Sequence, residues 1–132
     1  MHNTPSPITV ANVMHRPVIT VRPSMLASEA LRMMERLGLR DVIVEPVRPS
    51  QPYSLLNAQD VQARISRQAG SSEPLVRDVM TTPSLYVAPE MRLEDCTTLL
   101  LSARVRRTLV MSEGKPVGII SDNDIFQAIE SR

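Results

Sequence analysis

The chain has 132 residues, 42% hydrophobic and 22% charged, with a formal net charge of +1 and no Trp, two Tyr and one Phe. This is the composition of an ordinary globule with an aliphatic core and eight Met as adaptable filler, and it lacks the basic surface and aromatic platforms on which nucleic-acid binding rests. One Cys and two His leave no intrachain disulfide and no metal-ligand cluster of recognisable spacing.

Residues 1–7, with Pro5 and Pro7, read as a disordered lead-in. The opening Met1-His2-Asn3-Thr4-Pro5 has neither the positive start nor the apolar run of a signal peptide, and the apolar stretches are too short to span a membrane. A cytoplasmic protein without membrane association is expected. Ile8-Thr9-Val10 is a short β-like run, and Val18-Ile19-Thr20-Val21 an extended stretch stopped by Pro23. A helix is predicted over 25–38, with Ala27, Ala30, Met34 and Leu37 on one buried stripe and Gly38 ending it. Val42-Ile43-Val44 suits a strand buried on both faces. Pro46, Pro49 and Pro52 stiffen the loop before the next strand, Tyr53 to Leu56, and Asn57-Ala58-Gln59-Asp60 opens a helix reaching about Arg67.

The second half repeats this order. An offset of 66 superimposes Val13-Met14 on Val79-Met80, Pro17 on Pro83, Val21 on Val87, Pro23 on Pro89, Met25 on Met91, Met34 on Leu100, Arg40 on Arg106 and Val44 on Val110. Ser84 to Val87 is extended, and Leu93, Cys96, Leu100 and Ala103 form the helical stripe. Leu109 to Met111 and Val117 to Ile120 are strands joined by a tight turn at Glu113-Gly114-Lys115, and Ser121 to Asp124 starts the last helix. The fold class is therefore α+β: two pseudo-symmetric β-β-α-β-β-α repeats, residues 8–68 and 75–132, packed through their sheets and joined by a linker at 69–74. Each copy alone would bury only roughly 60% of its unfolded surface, so packing the halves is a condition of folding. A pseudo-two-fold axis between halves creates a cleft, and clefts take small ligands.

The order V-M…P…V…P, amphipathic helix, R-R-x-h-V, E-G-K-x-V-G-I-I-S-x-x-D resembles the cystathionine-β-synthase (CBS) domain over residues 8–130, and a tandem of two resembles the stand-alone pair called a Bateman module. Copy two matches closely from Val105-Arg106-Arg107 through Gly114, Gly118 and Ser121 to Asp124. Copy one departs: its turn is a proline loop two residues longer, with Ser54 in place of Gly118 and Asn57 in place of Ser121.

The resemblance implies that Ser121 and Asp124, echoed by Asn57 and Asp60, meet the ribose and phosphate of an adenosyl ligand such as AMP, ADP, ATP or S-adenosylmethionine. An ionised Asp can accept both hydroxyls of a ribose, and a helix N-terminus favours a phosphate. The same residues also read as a capping box that satisfies the helix's own amides and needs no ligand. The resemblance also implies that Arg106 and Arg107, with Arg40 in copy one, reach the phosphates, a task that suits a guanidinium because it stays charged and bonds bidentately; exposed loop charges are the alternative. Asp41 stands where copy one would have its second Arg, so copy two is expected to be the better anion site. The base would lie against Thr82, Pro83, Leu85 and Tyr86, or against Arg16, Pro17, Ile19 and Thr20, with core packing as the competing role for Leu85 and Ile19. His15 reads as a surface loop residue. Cys96 reads as a small apolar core residue without redox function.

The implied function is a regulatory nucleotide-binding module that senses an adenosyl ligand in the inter-repeat cleft, forms a homodimer and passes a conformational signal to an effector protein. No cofactor is required for this. The alternative is a dimerisation or protein-interaction module with vestigial nucleotide sites. No nucleophile–base pair, metal set or phosphate-cradling glycine loop argues for an enzyme.

Overall fold

Prolines and glycines punctuate the chain closely enough that every element is short. The structure is a computed structural model in which residues 8–16, 18–67 and 72–131 are described. In chain order the first elements are α1 (Val10–Val13), β1 (Thr20–Val21), α2 (Ala27–Leu37), β2 (Asp41–Val44), β3 (Ser54–Asn57) and α3 (Ala58–Arg67). Then follow α4 (Val76–Val79), α5 (Leu93–Ala103), β4 (Arg107–Ser112), β5 (Lys115–Ser121) and α6 (Asp122–Glu130). The lead-in expected at 1–7, residue 68 and the first half of the linker, 69–71, lie outside the described residues.

The chain forms two compact units, and their borders are not those of the sequence repeats. One unit gathers residues 18–67 with 72–82; the other gathers 8–16 with 83–131. Each unit takes its short opening helix from the other copy's stretch of sequence. In the first, Val76 N–H donates to the Met25 carbonyl (2.8 Å), Arg77 N–H to Pro23 (3.0 Å), and Ala27 N–H to Pro74 (2.9 Å). In the second, Val10 N–H donates to Met91, Ala11 N–H to Pro89 and Leu93 N–H to Ile8, each at 2.9 Å. Every one of these bonds recurs at the offset of 66.

In the unit of 18–82, β1 pairs parallel with β2, and β2 pairs antiparallel with β3. In the unit of 83–131, β4 and β5 form a hairpin with an irregularity at Val110/Met111, and Val87 bridges Val110 in parallel. Two expectations are corrected here. The strand expected at Ile8–Val10 is a bridge at Thr9 running into the helical turn α1, and the stretch Ser84–Val87 pairs only at Val87. The units therefore open with a helical turn where the repeat reads as a strand. Val10 and Val76 are fully buried, and a four-residue helix is enough to seat one such anchor.

The cores correspond position by position. Val21, Ala27, Ala30, Met34, Val44 and Val76 in one match Val87, Leu93, Cys96, Leu100, Val110 and Val10 in the other at an offset of 66. Beyond the longer proline loop, Leu56 and Val61 match Ile120 and Ile125 at an offset of 64. Leu37, expected on the buried stripe, is 53% exposed. Gly38 turns left-handed (φ 69°) and sends Leu39 onto the core instead, with its N–H bonded to the Met34 carbonyl at 2.8 Å.

Two turns separate the copies. Glu113 and Gly114 both have positive φ (52° and 76°), the geometry of a two-residue hairpin turn whose twist matches its strands. Copy one spans the same place with Glu45 to Tyr53, which carries three prolines and is tied to β1 at its start, where Glu45 N–H donates to the Val21 carbonyl (2.9 Å).

Candidate functional site

In the unit of 83–131, β5 runs into α6 at Ser121, whose extended backbone makes it the N-cap. The Ser121 hydroxyl accepts from Asp124 N–H (3.2 Å) and donates to Asp124 Oδ2 (2.7 Å), and Ser121 N–H donates to the same Oδ2 (3.0 Å). The capping box expected from Ser-x-x-Asp is therefore formed, and it consumes one carboxylate oxygen. The other oxygen, Oδ1, accepts from His15 Nε2 at 2.6 Å. With an ionised carboxylate as acceptor, Nε2 carries the proton.

His15 reaches this point because the opening segment of copy one is built into this unit. Its backbone makes a two-way bridge with Ile119, N–H to carbonyl at 2.8 Å and 3.3 Å. Gly118 permits the approach: a Cβ there would stand 2.6 Å from Met14 Sδ and 3.1 Å from the His15 carbonyl oxygen. Reading His15 as a surface loop residue is thus half right. Its side chain is 70% exposed, yet it is tied to a carboxylate that is only 14% exposed.

The arginines flank this helix start. Arg106 precedes β4, its carbonyl accepts Asp122 N–H (2.8 Å), and its Nε stands 3.9 Å from Asp122 Oδ2 with both side chains exposed. Arg107, half-buried, lies opposite Ser121 in the β4–β5 register. One end of the hairpin thus carries Arg106, Arg107, Ser121 and Asp124, as expected, together with His15, which sequence reasoning missed. Pro83 and Tyr86 are half-buried in this unit, and Leu85 packs on its core while its carbonyl accepts the Thr108 hydroxyl.

The unit of 18–82 builds the corresponding place with other atoms. Asn57, 8% exposed, accepts Asp60 N–H on Oδ1 (3.2 Å) and donates through Nδ2 to Asp41 Oδ1 (3.0 Å) and the Arg40 carbonyl (3.4 Å). Ala58 N–H donates to the Arg40 carbonyl (2.9 Å), as Asp122 N–H does to Arg106. The cap survives, but the Asp60 carboxylate takes no part in it. Asp60 and the Arg40 guanidinium are exposed and hold no side-chain partner among the described residues. Asp41, expected to repel phosphate, accepts from the Asn57 amide.

Thr82 is not near this helix start. Its Oγ1 stands 2.6 Å from Oγ of Ser54, at the opposite end of β3 from Asn57, where an open cleft of about 260 Å³ is lined by Pro23, Pro46, Val47, Pro52, Ser54 and Thr82. Thr20 donates to Glu45 Oε1 (2.7 Å), and Ile19 packs on the core. Arg16 is exposed, and Pro17 lies outside the described residues. Among the described residues there is no group of three or more His, Cys, Asp or Glu suited to a metal, and no helix is long and apolar enough to cross a membrane. Cys96 is fully buried, and desolvation raises its thiol above the ordinary value of 9.0, which keeps it protonated.

The sequence model of the CBS domain matches this chain twice, over residues 10–47 and 76–131. The chain belongs to the CBS domain family. An uncharacterised protein of Methanopyrus kandleri is 26% identical over 122 residues, covering 91% of this chain and 62% of that protein's length, so the chain spans less than two thirds of this relative. Among solved structures, a hexameric CBS-CP12 protein from bloom-forming cyanobacteria superimposes with a TM-score of 0.81 and 28% identity, covering 94% of this chain and 73% of the other. CBSX2 in complex with AMP gives a TM-score of 0.72 at 23% identity, covering 93% and 97%. A CBS domain pair in complex with 5′-methylthioadenosine and S-adenosyl-L-methionine gives 0.76 at 12% identity, covering 96% and 98%. These likenesses support the tandem reading of the fold, since both matched stretches are CBS domains.

Proposed function

We propose that the chain is a regulatory, non-catalytic module that binds an adenine nucleotide or adenosyl ligand at the helix starts bearing Asp124 and Asp60. The observation that carries this reading is the recurrence of a carboxylate in the first turn of α6 and of α3, each beside an arginine that precedes the neighbouring strand. Asp124 or Asp60 would accept the ribose hydroxyls, and Arg106, Arg107 and Arg40 would hold phosphate. Thr82, Pro83, Tyr86, Ile19 and Thr20 are proposed to face the base. Fold neighbours solved with AMP, and with 5′-methylthioadenosine and S-adenosylmethionine, support the ligand class.

A homodimer and an effector protein complete the proposal. Sensing requires that the ligand prefer one arrangement of the module over another, because equal affinity shifts no equilibrium. Titration calorimetry with AMP, ADP, ATP and S-adenosylmethionine is the test. At least one should bind and raise the melting temperature; the absence of heat and thermal shift at millimolar ligand contradicts the reading.

One observation favours the second reading, an interaction module with vestigial sites. Both Asp124 oxygens are already engaged within the protein.

A further inference from the structure

We infer that His15 is a built-in competitor for the Asp124 carboxylate, so that an adenosyl ligand sets both ribose hydroxyls on it only by displacing the imidazole. The inference rests on the proposed ligand reading and adds to it a residue that sets the affinity of one site and not of the other.

The geometry divides Asp124 cleanly. Oδ2 is held by the backbone N–H and hydroxyl of Ser121, and giving those up would uncap α6. Oδ1 is the only oxygen left for a ribose diol, and His15 Nε2 stands on it at 2.6 Å. Oδ1 can accept two hydrogen bonds, so a diol that sets both hydroxyls on it must take the His15 bond over. Asp124 is largely buried while the imidazole is mostly exposed, so the carboxylate stays in place and the imidazole is the group free to move. Displacement leaves the two-way backbone bridge between His15 and Ile119 intact.

The other copy lacks the device. Thr81 stands at the position of His15, 66 residues on, and its backbone makes the matching two-way bridge with Leu55 at 2.8 Å in each direction. Its short side chain is not bonded to Asp60, whose carboxylate is exposed and holds no side-chain partner among the described residues. The two helix starts therefore differ in a way their motifs do not display. The Asp60 carboxylate is open, whereas the Asp124 carboxylate already accepts three hydrogen bonds from within the protein.

The test uses AMP as probe and the full chain carrying Asp60→Asn, which removes the copy-one carboxylate. In that background His15→Thr, the residue the other copy uses, should tighten AMP by about two- to fivefold, the worth of one partly exposed hydrogen bond. His15→Gln, whose amide can still donate to Oδ1, should bind close to the parent. In the Asp60→Asn background, the His15 imidazole resonances should move on saturation with AMP and stay still on the same addition once Asp124→Asn has removed the second carboxylate. AMP affinity that is unchanged or weaker in His15→Thr, in a variant that melts as the parent does, overturns the competition while leaving the ligand site standing. No AMP binding in any variant removes the ligand reading and this inference together.

Discussion

Gly118 lies directly beneath Met14: a Cβ added to the glycine would meet the Met14 sulfur at 2.6 Å and its Cγ at 2.9 Å. This approach seats the opening segment on β5 and brings His15 to Asp124. In the other unit Ser54 fills the corresponding place and turns its hydroxyl to Thr82 at 2.6 Å.

Gly118→Ala should therefore destabilise the protein by about 1–2 kcal/mol, since the Met14 side chain must leave the core and the His15 carbonyl must give way. The change should also loosen His15 from Asp124. A urea midpoint equal to that of the parent would show that the contact does not constrain the strand. Ser54→Ala should cost about 1 kcal/mol, the net worth of one hydrogen bond.

The helix ends offer a reciprocal pair. Gly38 and Arg104 are equivalent at the offset of 66, and both are left-handed, at φ 69° and 56°. Glycine accepts this conformation and arginine is strained in it. Arg104→Gly should stabilise by about 0.5–1 kcal/mol, and Gly38→Ala should destabilise by about 1 kcal/mol, because open space around Gly38 leaves the backbone term alone. Thermal melts of both variants moving the same way would contradict this account.

Cys96 should resist alkylation in the native protein and react fully on unfolding, because it is buried and its thiol is held protonated by desolvation. Its raised folded-state value means that the stability it contributes is present below the ordinary value of 9.0 and is lost as the pH climbs through the folded one. Iodoacetamide labelling followed by mass spectrometry reads the first, and a pH series of melts the second. Labelling at equal rates in the native and denatured protein would contradict the burial.

The core was legible because apolar positions repeat in register: Ala30 predicts Cys96, and Met34 predicts Leu100. Ser121 and Asp124 were legible as a cap for the same reason, being fixed by spacing within one helix turn. The exchange of the opening segments was not, since Val10–Val13 is a single turn whose hydrogen bonds to Pro89 and Met91 span most of the chain. His15 was missed as a consequence. Without the exchange nothing in the sequence brings it to a carboxylate 109 residues away. The bond of Thr82 to Ser54, at the far end of β3 from Asn57, was not legible either, since it depends on the sheet register rather than on local spacing. Leu37 followed the helical stripe one position too far, past the point where Gly38 redirects the chain.

The central claim, that the repeated helix-start carboxylates hold an adenosyl ligand, is tested most directly by titrating AMP and S-adenosylmethionine into the parent, Asp124→Ala, and Asp124→Ala with Asp60→Ala. Binding should weaken by about 1–3 kcal/mol at the Asp124 site, as ribose hydroxyls lose their acceptor, and should be lost in the double variant. A parent that binds neither ligand, or an Asp124→Ala variant that loses about 1 kcal/mol of stability as an uncapped helix does while its ligand affinity is untouched, would contradict the claim.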